Sequence, residues 1–167
     1  AISKCDSQLI QVANDNDPSQ VVISGEKQEV QNFIAFLKEK KSKRTIELPV
    51  SAPFHSPLMK HAALAMETEL KKVKFSSPIV PIIQNVDLSV LKSTNGLVER
   101  LVQQICGTVR WRESLTKMVD AFGVSAFFEI GPGKVLAGTV KRTIPNSKII
   151  SVGLASQIDE ALEIINE

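Results

Sequence analysis

The sequence predicts a mixed α/β protein, because short apolar runs of strand length alternate with segments whose apolar residues recur at helical spacing. A chain of 167 residues has room for one ordinary domain or two small lobes. Hydrophobic residues at 43% and charged ones at 23% are the proportions of a folded globular chain, and no apolar run is long enough to span a bilayer as a helix.

Leu9–Ala13 and Val21–Ser24 read as strands. Between them Asn14-Asp15-Asn16-Asp17-Pro18-Ser19 is rich in turn formers, which predicts a hairpin or a wider connection. From Glu26 onward Val30, Phe33, Ile34 and Leu37 fall at i, i+3, i+4 and i+7, the stripe of an amphipathic helix. Its end carries Lys38, Lys40, Lys41, Lys43 and Arg44, where positive charge is favourable beside free helix carbonyls. Thr45–Val50 reads as a strand. Ser56-Pro57 is a helix start, since serine caps free N–H groups and proline at the first position loses nothing, with Met59, Ala62, Ala63, Met66 and Leu70 as its buried face.

Ile79–Val86 reads as a strand, and Pro81 puts it at an edge or beside a bulge. Leu97, Val98, Leu101, Val102 and Ile105 define a helix stopped by Gly107, and Trp111, Leu115, Met118 and Phe122 define the next. A strand Val124–Ile130, the turn Gly131-Pro132-Gly133, a short helix from Lys134, a strand Lys148–Val152 and a terminal helix through Ala161 and Ile165 complete the chain. The C-terminal part thus has about three strands for four or five helices, fewer strands than a sheet typically holds. Both lobes want more sheet.

Charge and cysteine content exclude several classes. Twenty basic residues against eighteen acidic ones give +2, and 5% aromatics without a tyrosine lack the basic, stacking-rich profile of a nucleic-acid binder. No nucleic acid and no membrane are expected as partners. Cys5 and Cys106 have neither metal-ligand spacing nor the density of a secreted disulfide scaffold, so reduced thiols are expected. The opening AISKCDSQLI has no basic region followed by an apolar one, which favours a cytoplasmic protein.

Two histidines are present. His61 lies inside the helix that starts near Pro57, six residues after His55, so the pair is poorly placed to share a metal. His55 sits in Val50-Ser51-Ala52-Pro53-Phe54-His55-Ser56-Pro57-Leu58-Met59, between a strand end and a capped helix, where α/β proteins commonly place reacting groups. Spacing alone favours a helix-entry residue whose ring bonds a neighbouring carbonyl.

Val50–Met59 closely resembles the histidine loop of malonyl-CoA:acyl carrier protein transacylases and the related acyltransferase domains of fatty-acid and polyketide synthases. Three further segments, in the same order, resemble theirs: Asn16-Asp17-Pro18-Ser19-Gln20-Val21-Val22-Ile23-Ser24-Gly25; Leu101-Val102-Gln103-Gln104 leading to Val109-Arg110-Trp111; and Glu129-Ile130-Gly131-Pro132-Gly133-Lys134-Val135-Leu136. The resemblance implies the C-terminal part of an α/β-hydrolase-like large lobe, residues 49–167, with an incomplete ferredoxin-like small lobe, residues 1–48. It implies malonyl transfer from malonyl-CoA to holo acyl carrier protein through a seryl-enzyme, with no cofactor and no metal. His55 is then the base and Gln104 the acceptor that orients it through its backbone carbonyl; taken alone, Gln104 is an exposed helix residue. Phe54 is then a bulky substrate-binding residue that crowds an α-methyl group, and Asn16 helps to shape the pocket wall; ordinary packing and turn formation are their other readings.

The family's Gly-His-Ser-x-Gly nucleophile elbow is absent from the sequence, the nearest string being Gly123-Val124-Ser125-Ala126-Phe127. Absent too are the family's oxyanion-hole glutamine and malonyl-binding arginine, which precede the matched region. The expectation is therefore a chain that begins inside the small lobe and needs the missing N-terminal segment of the same enzyme as a partner. The alternative is a noncatalytic module that docks carrier protein. A third possibility is a phosphate-binding turn at Gly131-Pro132-Gly133-Lys134, although the Walker spacing is not met and the family uses this turn structurally.

Overall fold

The computed structural model describes residues 9–40 and 44–166. Cys5, Lys41 and Lys43 lie outside the described residues. Two compact units are formed, one by residues up to Asp15 with Val21–Arg110, the other by Asn16–Gln20 with Trp111–Glu167.

Strands β1 (Ile10–Asp17) and β2 (Gln20–Gly25) make a hairpin around Pro18-Ser19; its tip, 16–20, belongs to the second unit and the rest to the first. Asn14–Asp17, expected as part of the connection, is instead strand. Asn14 bridges Val109 in parallel, Val109 N donates to Ala13 O at 2.8 Å and Asp15 N to Val109 O at 2.9 Å. Pairing with a distant segment outweighs the turn preference of Asn and Asp.

In the first unit, α1 (Lys27–Glu39) starts at Glu26, whose carboxylate accepts from Glu29 N at 2.9 Å, and buries Phe33. Lys40 ends it, with its ammonium 5.8 Å from the Phe36 ring centroid. Thr45–Val50 is not a strand. No described strand pairs with it, and Ile46, Leu48 and Val50 are about half exposed or more. Apolar β-formers without a partner edge have no hydrogen bonds to keep them in a sheet.

Pro57–Met59 forms one 3₁₀ turn leading into α2 (Lys60–Leu70). Only Ala63 of its expected apolar face is buried, while Met66 is exposed. The expected strand Ile79–Val86 shrinks to β3 (Ile82–Ile83), paired antiparallel with β4 (Val90–Leu91), which the pattern did not predict. Ile79 and Val80 stand exposed before Pro81, which cannot donate to a ladder. Helix α3 (Leu97–Cys106) follows and packs against α2.

In the second unit, α4 (Trp111–Phe122) precedes β5 (Ala126–Ile130), α5 (Val135–Thr143) and β6 (Lys148–Val152), a parallel β–α–β unit in which Phe127 pairs with Ile149 and Glu129 with Ser151. A terminal helix, α6 (Ile158–Asn166), closes the chain. Among the described residues of the second unit, Leu115, Val140, Val152 and Ala161 are the buried apolar ones, and Trp111 Nε1 donates to Thr139 Oγ1 at 2.7 Å. Each of the three described sheets has two strands, fewer than a sheet usually needs for independent stability.

Asp17, at the hairpin tip, is fully buried and receives Arg142 of α5 at 2.8–2.9 Å and the Ser19 amide and hydroxyl at 2.8 and 2.7 Å. Burial works to raise its pKa, but the hydrogen bonds of Arg142 and Ser19 and the guanidinium charge outweigh it and hold the carboxyl below the ordinary aspartate value. A pKa lowered by folding adds stability above the unfolded value and loses it as pH falls through the folded one. Arg142→Met should therefore cost about 1–3 kcal/mol at neutral pH, the penalty for stripping a partner from a buried acceptor, in thermal or urea unfolding. The gap from the parent should close on acidification through the folded pKa of Asp17.

Candidate active site

The histidine loop is a set of short turns pinned by its own polar groups. Phe54 N donates to Ala52 O at 2.9 Å, and Ser56, fully buried, donates from Oγ to Pro53 O at 2.7 Å while accepting from Leu58 N at 3.3 Å. His55 between them has φ +57°, the left-handed region that side chains other than glycine seldom occupy. Such backbones are held by surrounding structure and cluster at functional sites.

The ring's partner arises from the way α3 ends. The last carbonyls of a helix lack intrahelical donors. Gly107 caps α3 with its N–H on Gln103 O and leaves the helix in an extended conformation, φ −90° and ψ 153°. Gln104 O, one position on, is open to an outside donor, and His55 Nδ1 lies 2.9 Å from it. A carbonyl only accepts, so Nδ1 carries the proton and neutral His55 presents the lone pair of Nε2. The Gln104 amide donates to Gly107 O at 2.9 Å and Thr108 O at 3.4 Å, holding the turn that frees its own carbonyl. Gly107 has no room for a side chain: a Cβ there would lie 2.9 Å from both Gln103 O and Val86 Cγ2.

His55 and Gln104, 49 residues apart, are thus brought together within the first unit. Phe54 sits beside them in the loop with its ring half exposed. Asn16 belongs to the second unit, where its amide donates to Gln20 Oε1 at 3.2 Å. His61 is exposed on α2. Gln11 of β1 escaped sequence reasoning: its amide donates to His55 O and, at 2.7 Å, to Cys106 O. A lone glutamine in a strand carries no pattern that could reveal this.

At the glycine turn, two of the N–H groups opening α5, those of Leu136 and Ala137, are already taken. Glu129 accepts from Leu136 N at 3.0 Å and Ala137 N at 2.8 Å, so the protein's own carboxylate fills the place a phosphate would use. Among the described residues no group of three or more His, Cys, Asp or Glu is placed to hold a metal, and no helix is long and apolar enough to cross a membrane.

Residues 2–161 match the acyl transferase domain family. The chain belongs to that family. Malonyl CoA-acyl carrier protein transacylase of Bacillus subtilis (strain 168) is 41% identical over 159 residues, which cover 95% of this chain and 50% of the relative. The crystal structure of acyl-carrier-protein-S-malonyltransferase from Bartonella henselae superposes with a TM-score of 0.88 at 44% identity, over 95% of this chain and 50% of that one. A type II PKS acyl-carrier protein in complex with its malonyl-transacylase gives 0.89 at 34% identity, over 98% of this chain and 52% of that one. The chain spans about half the length of the relatives it matches. Its fold is the C-terminal part of the α/β acyltransferase fold.

Two measurements check the assignment of the glycine turn. Glu129→Ala should cost about 1 kcal/mol, the usual worth of a helix N-cap. Inorganic phosphate and ATP should leave the parent's melting temperature unchanged.

Proposed function

We propose that this chain carries the proton-transfer half of a malonyl transfer from malonyl-CoA to the phosphopantetheine thiol of acyl carrier protein, in fatty-acid biosynthesis in the cytoplasm. The observation that supports it is the 2.9 Å approach of His55 Nδ1 to Gln104 O, which leaves Nε2 as a base. A neutral imidazole with a free Nε2 lone pair takes a proton from a hydroxyl or thiol and returns it, a contribution of roughly 10²- to 10⁴-fold.

In this reading the serine stands in the family's nucleophile elbow, in the N-terminal part of the enzyme, and the chain alone transfers nothing. Nε2 of His55 removes the serine proton as the oxygen attacks the malonyl thioester carbonyl. The C–S bond breaks, coenzyme A leaves as its thiolate, and the proton on Nε2 passes to that sulfur. The carrier thiol then gives its proton to Nε2 and attacks the malonyl ester, and the serine oxygen leaves and recovers the proton. The neutral Gln104 carbonyl orients the ring throughout. Residues 1–48 and 49–167 fall to the small and large lobes. The Phe54 ring crowds an α-methyl substituent, so malonyl is favoured over methylmalonyl. The basic residues Lys134 and Lys141 of the second unit attract an acidic carrier protein, whereas Arg142 on the same helix is paired with Asp17.

The test is malonyl transfer to holo carrier protein by the purified chain, and by the same chain joined to the N-terminal half of a relative. The chain alone should be inactive and the joined enzyme active. His55→Ala in the joined enzyme should lose about 10²- to 10⁴-fold; undiminished transfer would end the proposal. Phe54→Ser should raise methylmalonyl transfer relative to malonyl transfer, read as the ratio of the two kcat/KM values.

A further inference from the structure

We infer that Gln11 is a positioning residue for the His55 imidazole, acting by holding two backbone carbonyls with one side-chain amide. This rests on the reading of His55 as the base. The Gln11 NH₂ group donates to His55 O in the histidine loop and, at 2.7 Å, to Cys106 O in the last turn of α3. An amide nitrogen has two N–H bonds that diverge, and here each meets its own carbonyl. Gln104, whose carbonyl receives the ring, is two residues before Cys106. One end of the clamp is therefore the backbone of the base, and the other is the helix turn that orients it.

The strand that carries Gln11 is tied to the same region on its other bonds. Thr108 Oγ1 donates to Val12 O at 2.6 Å and Val109 N to Ala13 O at 2.8 Å, while Ile10 and Ala13 are buried. The anchor is thus a fixed one. His55 needs it because its backbone has φ +57° and because the bonds of Ser56 are made within the loop, to Pro53 and Leu58, and do not tie it to α3. Gln11 supplies that tie by hydrogen bonds to backbone, which leaves the ring free to move a proton. A glutamate there only accepts and faces two carbonyl oxygens; a methionine of similar length donates nothing.

The experiment uses the joined enzyme of the preceding section with ¹⁵N-labelled histidine and glutamine side chains, with exposed His61 as the internal reference. In the parent, His55 should hold its proton on Nδ1, and both Gln11 Nε2 protons should be protected from exchange. In Gln11→Met and Gln11→Glu the Nδ1 proton should exchange about three- to tenfold faster, the factor carried by one hydrogen bond of ordinary net strength. The His55 ring should also shift toward the Nε2–H tautomer while His61 stays unchanged. A lower melting temperature with the His55 tautomer and exchange unaltered would make Gln11 merely structural and overturn the inference. Parent Gln11 protons that exchange as fast as those of an exposed glutamine would overturn it without any variant. If the tautomer follows Gln11 but transfer in the joined enzyme ignores His55, the clamp stands and the base reading falls.

Discussion

A helix that stops one residue too early to satisfy its own carbonyl is the constraint on which the candidate site depends. Gly107 turns the chain out of α3, so Gln104 O meets no backbone donor from the continuing helix, and His55 Nδ1 approaches it at 2.9 Å. The surrounding features serve that one bond. The Gln104 amide ties the turn, Ser56 shapes the loop, and Gln11 clamps the two backbones. A carbonyl in place of the carboxylate found in many hydrolytic triads fixes the tautomer without burying a second charge, which avoids a desolvation cost of several kcal/mol.

The second unit handles helix ends and buried charge by related means. Glu129 caps α5 and so occupies the anion position of the glycine turn. Asp17 is buried with a full set of donors, Arg142 and Ser19, and its charge is kept by them rather than neutralised. In both cases a carboxylate is committed to structure by the hydrogen bonds it accepts.

The elements that were legible were those whose information is local. The i, i+3, i+4 stripes of α1, α3 and α4 and the Ser56-Pro57 start are written in consecutive residues, and they appear where the pattern puts them. The strands were less legible because a strand is defined by its partner. Thr45–Val50 has β-forming residues and no described partner, whereas Asn14–Asp17 has turn formers and a partner in the segment around Val109. β3 and β4 are two residues each, too short for an alternation to register.

By itself the sequence determined the α/β class, the main helices and the family, since four motif segments in family order stand in linear text. Only the tertiary structure decided that the end of α3 leaves the Gln104 carbonyl open to the ring, that Gln11 bonds the backbone of His55, and that Glu129 accepts from the first turn of α5. The reason is that hydrogen bonds across 44, 49 and 95 residues of separation depend on where helices end and strands pair, and those endpoints are set by packing rather than by neighbours in the chain.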